Sequence, residues 1–293
     1  MYSETVQKHI VKEHRRGVLR RCRQGALLLV LLVVAIWGWL TYRADHHTFA
    51  WDRKVSIGVV ALLDDDGETA QKAEWFIQRF LSQSGGGKNT LGEVQSWLQK
   101  EYARHTGDAQ SIVEFFVRGP VRLATPPPDL PEAEDSFFTR WNGVRTFINY
   151  FKEISRRDEL QLAQCDATLF VYFYDYHDQK RRHMFAHLDS LASRSDRMGI
   201  CFVPTTKKHA GYSTAVVAHE LCHTFGASDK YDGGVSLYPA GYAEPDRQPR
   251  YPQRHGEIMS LGRPVSAGVD RPVRGLRECI VGDTTAEEMN WAR

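Results

Sequence analysis

Apolar residues follow two different periods along this chain, and each change of period marks a boundary between elements. VSIGVVALL (55–63) is an unbroken apolar run that predicts a buried strand. In 68–82 the apolar residues Ala73, Phe76, Ile77 and Phe80 return every three or four positions, as on one face of a helix. After a loop at 84–87, Leu91, Val94, Leu98 and Tyr102 mark a second helix, and SIVEFFV (111–117) a second strand. TPPPDLP (125–131) reads as an extended connection, because proline fixes φ and has no amide to donate. Phe137, Trp141, Val144, Ile148, Phe151 and Ile154 then trace a long amphipathic helix, and ATLFVYFY (167–174) and GICFVP (199–204) two further strands. A helix capped by Ser213 or Thr214 follows the last strand, with Ala215, Val216, Val217, Ala218, Leu221, Cys222 and Phe225 for packing. From Asp229 to about 255 the chain is rich in Gly, Pro and Tyr, which predicts an irregular lower part, and TTAEEMNWAR predicts a short helix with Thr284 as cap facing Glu287. The fold class is α/β, or α+β: a mixed twisted sheet covered by helices, with an irregular subdomain after it.

The first 42 residues have a different character. Residues 24–42 carry no charge, and 26–40 are almost wholly apolar; at 1.5 Å per residue the uncharged stretch spans about 28 Å, enough for a bilayer core. Lys8, Lys12, Arg15, Arg16, Arg20, Arg21 and Arg23 precede it against Glu4 and Glu13, a net charge of 7 − 2 = +5 over the first 24 residues. Arg43, Arg53 and Lys54 are the basic residues of the 18 that follow. The positive-inside rule then keeps 1–24 cytoplasmic, anchors the chain in the lipid bilayer through 25–42, and puts 43–293 outside, in the periplasm or at the cell surface. Trp37, Trp39 and Tyr42 suit an interfacial belt, and TYRADHH offers no small-residue cleavage site. The exported part has a net charge of 2 − 5 = −3, which gives no reason to expect nucleic acid as a partner. Of the five cysteines, Cys22 falls inside and Cys165, Cys201, Cys222 and Cys279 outside; Cys222 lies in a packed helix, and no bridge is assigned. Lys180, Arg181, Arg182 and His183 read as a solvated loop, His46 and His47 as solvated, and Asp64, Asp65, Asp66 and Gly67 as a strand-to-helix cap rather than a calcium loop.

The chemistry concentrates in HELCHTFGASDKY (219–231). On a helix His219 and His223 share one face, close enough for both imidazoles to reach one cation. Glu220 lies beside them, placed to accept a proton from a metal-activated water without being a ligand. Gly226 tolerates the positive φ that ends the helix and turns the chain back, so Asp229, three residues on, can complete an open site as a third ligand. Asp229 has rivals for that role in His255 and Glu257.

These residues resemble the metzincin clan of zinc metallopeptidases, whose pattern is HExxHxxGxx followed by His or, more rarely, Asp. The resemblance is strong over about 45 residues of 293 and extends to the rest only as a layout, a helix-covered sheet with the zinc helix after its last strand. The inserted helix before the third strand departs from the simplest plan of the clan. The resemblance implies Zn2+ held by His219, His223 and Asp229, Glu220 as general base, a protein or peptide substrate, and a methionine turn beneath the metal, for which Met259 is the candidate. Many members place a Tyr two residues after that Met; here the position is Leu261, and Tyr231 and Tyr251, nearby in sequence, could substitute or simply pack in a Pro-rich and Tyr-rich loop. The catalytic domain spans 43–293, with an upper part at about 50–226 and a lower part at 227–293. Hydrolysis of a non-protein amide or ester, and a tethered zinc-binding module without activity, are the alternatives.

Overall fold

The structure, a computed structural model, describes residues 49–65, 90–129, 135–177, 190–193 and 197–291, with parts of 27–38 and 71–80. The chain divides into two units, Met1–His47 and Thr48–Arg293. In the first, residues 27, 29–36 and 38 are helical, and Leu27, Leu29 and Ile36 stand open at 64%, 64% and 48% exposure. Among the described residues no helix is long and apolar enough to cross a membrane. The expected basic tail 1–24 and much of the 25–42 anchor, including Trp37, Trp39 and Tyr42, lie outside the described residues, as do His46, His47 and 180–183.

In the second unit five strands form one mixed sheet: β1 (Val55–Asp64), β2 (Val113–Leu123), β3 (Ala167–Tyr174), β4 (Ser190–Ser193) and β5 (Met198–Pro204). Their order is β2-β1-β3-β5-β4, with β4 antiparallel to β5 on one edge and the other pairs parallel. Parallel neighbours need crossovers. Helical residues in 71–80 and helix α1 (Thr90–Thr106) join β1 to β2, and helix α2 (Phe137–Ser155) joins β2 to β3. With both faces covered, all but one residue of β1 is buried, which is why it reads as a continuous apolar run.

Alternation along the strands divides the interior. Ile57, Val59, Ala61 and Leu63 of β1, with Leu169, Val171 and Phe173 of β3, face a large core shared with α1 and helix α3 (Ala210–Thr224). Val60, Leu62, Phe170, Tyr172, Ile200 and Phe202 face a smaller core under α2. The inserted helix therefore covers the sheet face away from α3. Gly199 sets how closely α3 lies on the sheet, since a Cβ there would stand 2.9 Å from Leu169 Cδ1 and 3.3 Å from the Glu220 carbonyl.

The elements differ from the sequence reading in local ways. β2 continues past 117 through Gly119, at φ 89°, and Pro120, with a slip in its pairing to β1 between Val60 and Leu62; the missing proline amide is tolerated on an edge strand. β4, only SLAS, had no apolar run to announce it. Neither Ser213 nor Thr214 caps α3, because a 3-10 turn (Lys207–His209) runs directly into it, and Thr214 Oγ1 instead donates back to the Ala210 carbonyl at 2.9 Å. Helix α4 (Asp283–Glu288) likewise starts before Thr284, with Gly282 at its cap position. Between α3 and α4 the chain forms three small pairs: β6 (Tyr231–Asp232) with β7 (Val235–Ser236), β8 (Gly256–Glu257) with β11 (Cys279–Ile280), and β9 (Gly262–Ser266) with β10 (Val269–Pro272).

On α2 the expected apolar stripe is used only in its second half. Phe147, Phe151 and Ile154 are buried, whereas Phe137 and Trp141 are 75% and 56% exposed. Truncating Phe151 to Ala should therefore cost about 3–5 kcal/mol in urea unfolding, and truncating Trp141 to Ala less than about 0.5 kcal/mol. Equal losses would show that the stripe packs along its whole length.

Candidate metal centre

Helix α3 is buried almost from end to end, His219 at 1% exposure and Glu220 at 0%. One helical turn puts the His219 and His223 rings 4.6 Å apart at 88° to each other, with their Nε2 atoms 3.1 Å apart. Gly226, at φ 113°, then reverses the chain, its amide bonding to the His223 carbonyl at 3.0 Å and that of Ala227 to the Cys222 carbonyl at 3.0 Å. The reversal delivers Asp229 Oδ1 to 3.2 Å from His219 Nε2 and 3.1 Å from His223 Nε2. Of the three proposed third ligands, Asp229 joins the histidines, and neither His255 nor Glu257 belongs to the cluster.

The other ring nitrogens decide what this triangle can hold. His219 Nδ1 lies 3.0 Å from the Ile258 carbonyl and His223 Nδ1 2.8 Å from the Ala227 carbonyl. A carbonyl oxygen can only accept, so both Nδ1 atoms donate, and a neutral ring is left with a bare lone pair on Nε2. Burial disfavours the His219 imidazolium and pushes its pKa down. Burial also opposes ionisation of Asp229, but a proton on Nε2 of either imidazole would be donated to it, and that outweighs burial and holds the carboxyl below the usual range; with both rings neutral no such donor remains. Two lone pairs and an anionic oxygen thus converge, an arrangement that repels itself unless a cation lies among them. Ligand atoms about 2.0–2.2 Å from one tetrahedral ion stand about 3.3–3.6 Å apart, close to the edges of this triangle. The group can hold a metal ion; two imidazoles and a carboxylate suit several divalent metals and do not single out zinc. Glu220 Oε1 lies 3.4 Å from His219 Nε2, next to the triangle but outside it.

Met259 is a fully buried core residue in the 258–260 turn, whose Ile258 carbonyl orients His219. Its own carbonyl accepts from the Lys230 amide at 2.9 Å, joining that turn to the residue after Asp229. Leu261 is buried and apolar, and the Tyr251 hydroxyl is paired with that of Tyr242 at 2.9 Å. Tyr231 is half-buried in β6. Cys201, Cys222 and Cys279 are buried free thiols that burial pushes up in pKa, and Cys165 is free and half-buried. Asp64 accepts from the Tyr172 hydroxyl at 2.6 Å, while Asp66 and Gly67 lie outside the described residues. The two orienting carbonyls carry no sequence signal, since every residue has one.

Glu257 pins the 258–260 turn. Fully buried, it accepts from the Met259 amide at 2.5 Å, the Gly282 amide at 3.1 Å and the Thr285 hydroxyl at 2.7 Å. Burial raises its pKa from 4.5 to about 7, although these bonds and the Lys230 charge pull the other way. The folded state thus holds this proton more tightly than the unfolded chain. The resulting stability is fully present below about pH 4.5 and lost as pH rises through about 7, an effect on the order of 3 kcal/mol. In chelator, the unfolding free energy of the wild type minus that of Glu257→Gln should fall by that order between pH 4.5 and 7.5. A constant difference would remove Glu257 as the proton holder.

No protein-family model matches the chain, nor does any curated protein, so the chemistry of the site rests on its own residues.

Proposed function

We propose that the chain is a zinc-dependent endopeptidase, tethered to a membrane by residues 25–42, that hydrolyses peptide bonds outside the cytoplasm. The observation that carries this reading is the convergence of His219 Nε2, His223 Nε2 and Asp229 Oδ1 within 3.2 Å of one another, with both Nδ1 atoms committed to carbonyls. His219, His223 and Asp229 would hold the ion. When bound, zinc supplies a Lewis acid that acidifies water and polarises a carbonyl. Glu220 accepts the proton of the attacking water and passes it to the leaving amine, and its burial strengthens that exchange by excluding bulk solvent. The anionic Asp229 makes the ion a weaker acid than a third imidazole would, so the reaction leans more heavily on Glu220. The layout agrees with the metzincin resemblance in placing the helix of the HExxH motif after the last sheet strand.

Protein purified without chelator should carry close to one equivalent of zinc by elemental analysis, and His223→Ala should lose most of it. Glu220→Ala should keep the zinc and lose at least about 100-fold in cleavage of a peptide library, within the usual range for general acid–base catalysis. Folded wild-type protein free of metal, or undiminished cleavage by Glu220→Ala, would sink the reading.

The tether rests on the uncharged stretch 24–42 and the basic excess before it. Deleting residues 1–42 should move the protein from the membrane to the soluble fraction, and a reporter active only after export should work when fused after Arg293. A reporter active only in the cytoplasm would reverse the orientation.

A further inference from the structure

Asp229 is half exposed, at 49%, in an irregular segment after the turn, so packing does not hold its carboxylate against the histidines. The residues on either side of it are held instead, and by one side chain. Glu288, at the end of α4, accepts from the Ser228 amide at 2.8 Å and the Ser228 hydroxyl at 2.7 Å. Its two oxygens also accept from Lys230 Nζ at 2.8 and 2.7 Å. Lys230 is 4% exposed and donates as well to the Ser228 carbonyl at 3.0 Å, closing a ring around the Asp229 peptide. Charge-assisted bonds of this kind are about twice as strong as neutral ones, and a buried ammonium left without its anion is costly.

Glu288 is itself on a fixed support. Met289, the next residue, accepts from Trp51 Nε1 at 2.7 Å through its carbonyl, and Trp291 is 1% exposed against Trp51 and Tyr102. At the other end of α4, Thr285 bonds to Glu257, which holds the 258–260 turn beside His219. One six-residue helix thereby reaches both the turn that orients His219 and the segment that carries Asp229.

We propose that Glu288 is the positioning residue for the third metal ligand, acting through Ser228 and Lys230 to hold the Asp229 carboxylate in the triangle. This rests on the metal-site reading above. Groups that orient ligands from behind typically account for 10- to 100-fold in metal affinity.

The test uses the full-length chain and two probes, zinc(II) and cobalt(II), with affinities taken by competition against a chromophoric chelator. Glu288→Gln, nearly the same shape, should bind zinc about 10- to 100-fold more weakly than the wild type and alter the visible spectrum of the cobalt form. In an Asp229→Ala background the same change should shift zinc affinity by less than about two-fold, because the ligand it positions is already gone. Equal weakening in both backgrounds would mean a general structural effect and would overturn the proposal, as would wild-type affinity in Glu288→Gln. A wild type that takes up neither ion overturns the metal reading and the proposal together, so the two failures are distinct. Should Glu288→Gln not fold, Ser228→Ala removes the hydroxyl link alone; several-fold weaker zinc binding supports the proposal, and unchanged binding overturns it.

Discussion

A helix that carries two imidazoles into an apolar core keeps them there only if their ring nitrogens find partners, and this requirement shapes the turns below the sheet. His219 finds its partner in the Ile258 carbonyl and His223 in the Ala227 carbonyl. The first comes from a turn well beyond α3 in the chain, the second from the reversal that ends α3. Both bonds aim the remaining nitrogens at one point. The arrangement that gathers the metal-capable atoms is also the way the core avoids stranded ring donors.

The lower region therefore works as a set of backbone props. Lys230 bonds through its amide to the Met259 carbonyl and through its own carbonyl to Ser260 Oγ and the Leu237 amide. Glu257 and Glu288 tie these turns to α4. Helix α1 fastens the segment before α4 from the other side: Glu101, 1% exposed, accepts from the Val281 amide at 3.0 Å, and Trp97 Nε1 donates to the Cys279 carbonyl at 3.1 Å. Little of this region is regular structure. Its order comes from side chains bonding to specific backbone atoms, and single substitutions there should act locally on the site rather than on the sheet.

How much of this was legible in the sequence follows from what kind of signal each part leaves. Buried parallel strands leave long apolar runs, so β1, β3 and β5 were readable to within about a residue, and the triad His219, His223 and Asp229 was readable because helix periodicity and a glycine turn are both local. β4 has only Leu191 and Ala192 as apolar residues, and β2 continues through a glycine and a proline that normally signal an end. The caps of α3 and α4 were misread because a 3-10 turn and Gly282 took the place of a hydroxyl. Trp141 lies on the apolar stripe of α2 but not on the sheet, and no periodicity says where a neighbouring sheet stops. Glu288 could not be linked to Asp229 at all, since the contact spans 60 residues and leaves no pattern.

The bond from Trp51 to the carbonyl of Met289 joins residues 238 apart, and Trp97 reaches Cys279 across 182. Contacts of such separation form late, after most of the loop-closure entropy has been spent. The two histidines can enter their helix as soon as the sheet exists, but the third ligand has no brace until residues 279–291 have been made and folded back. In a growing chain the brace on the third corner of the His219, His223 and Asp229 triangle is thus among the last contacts of the lower region to form.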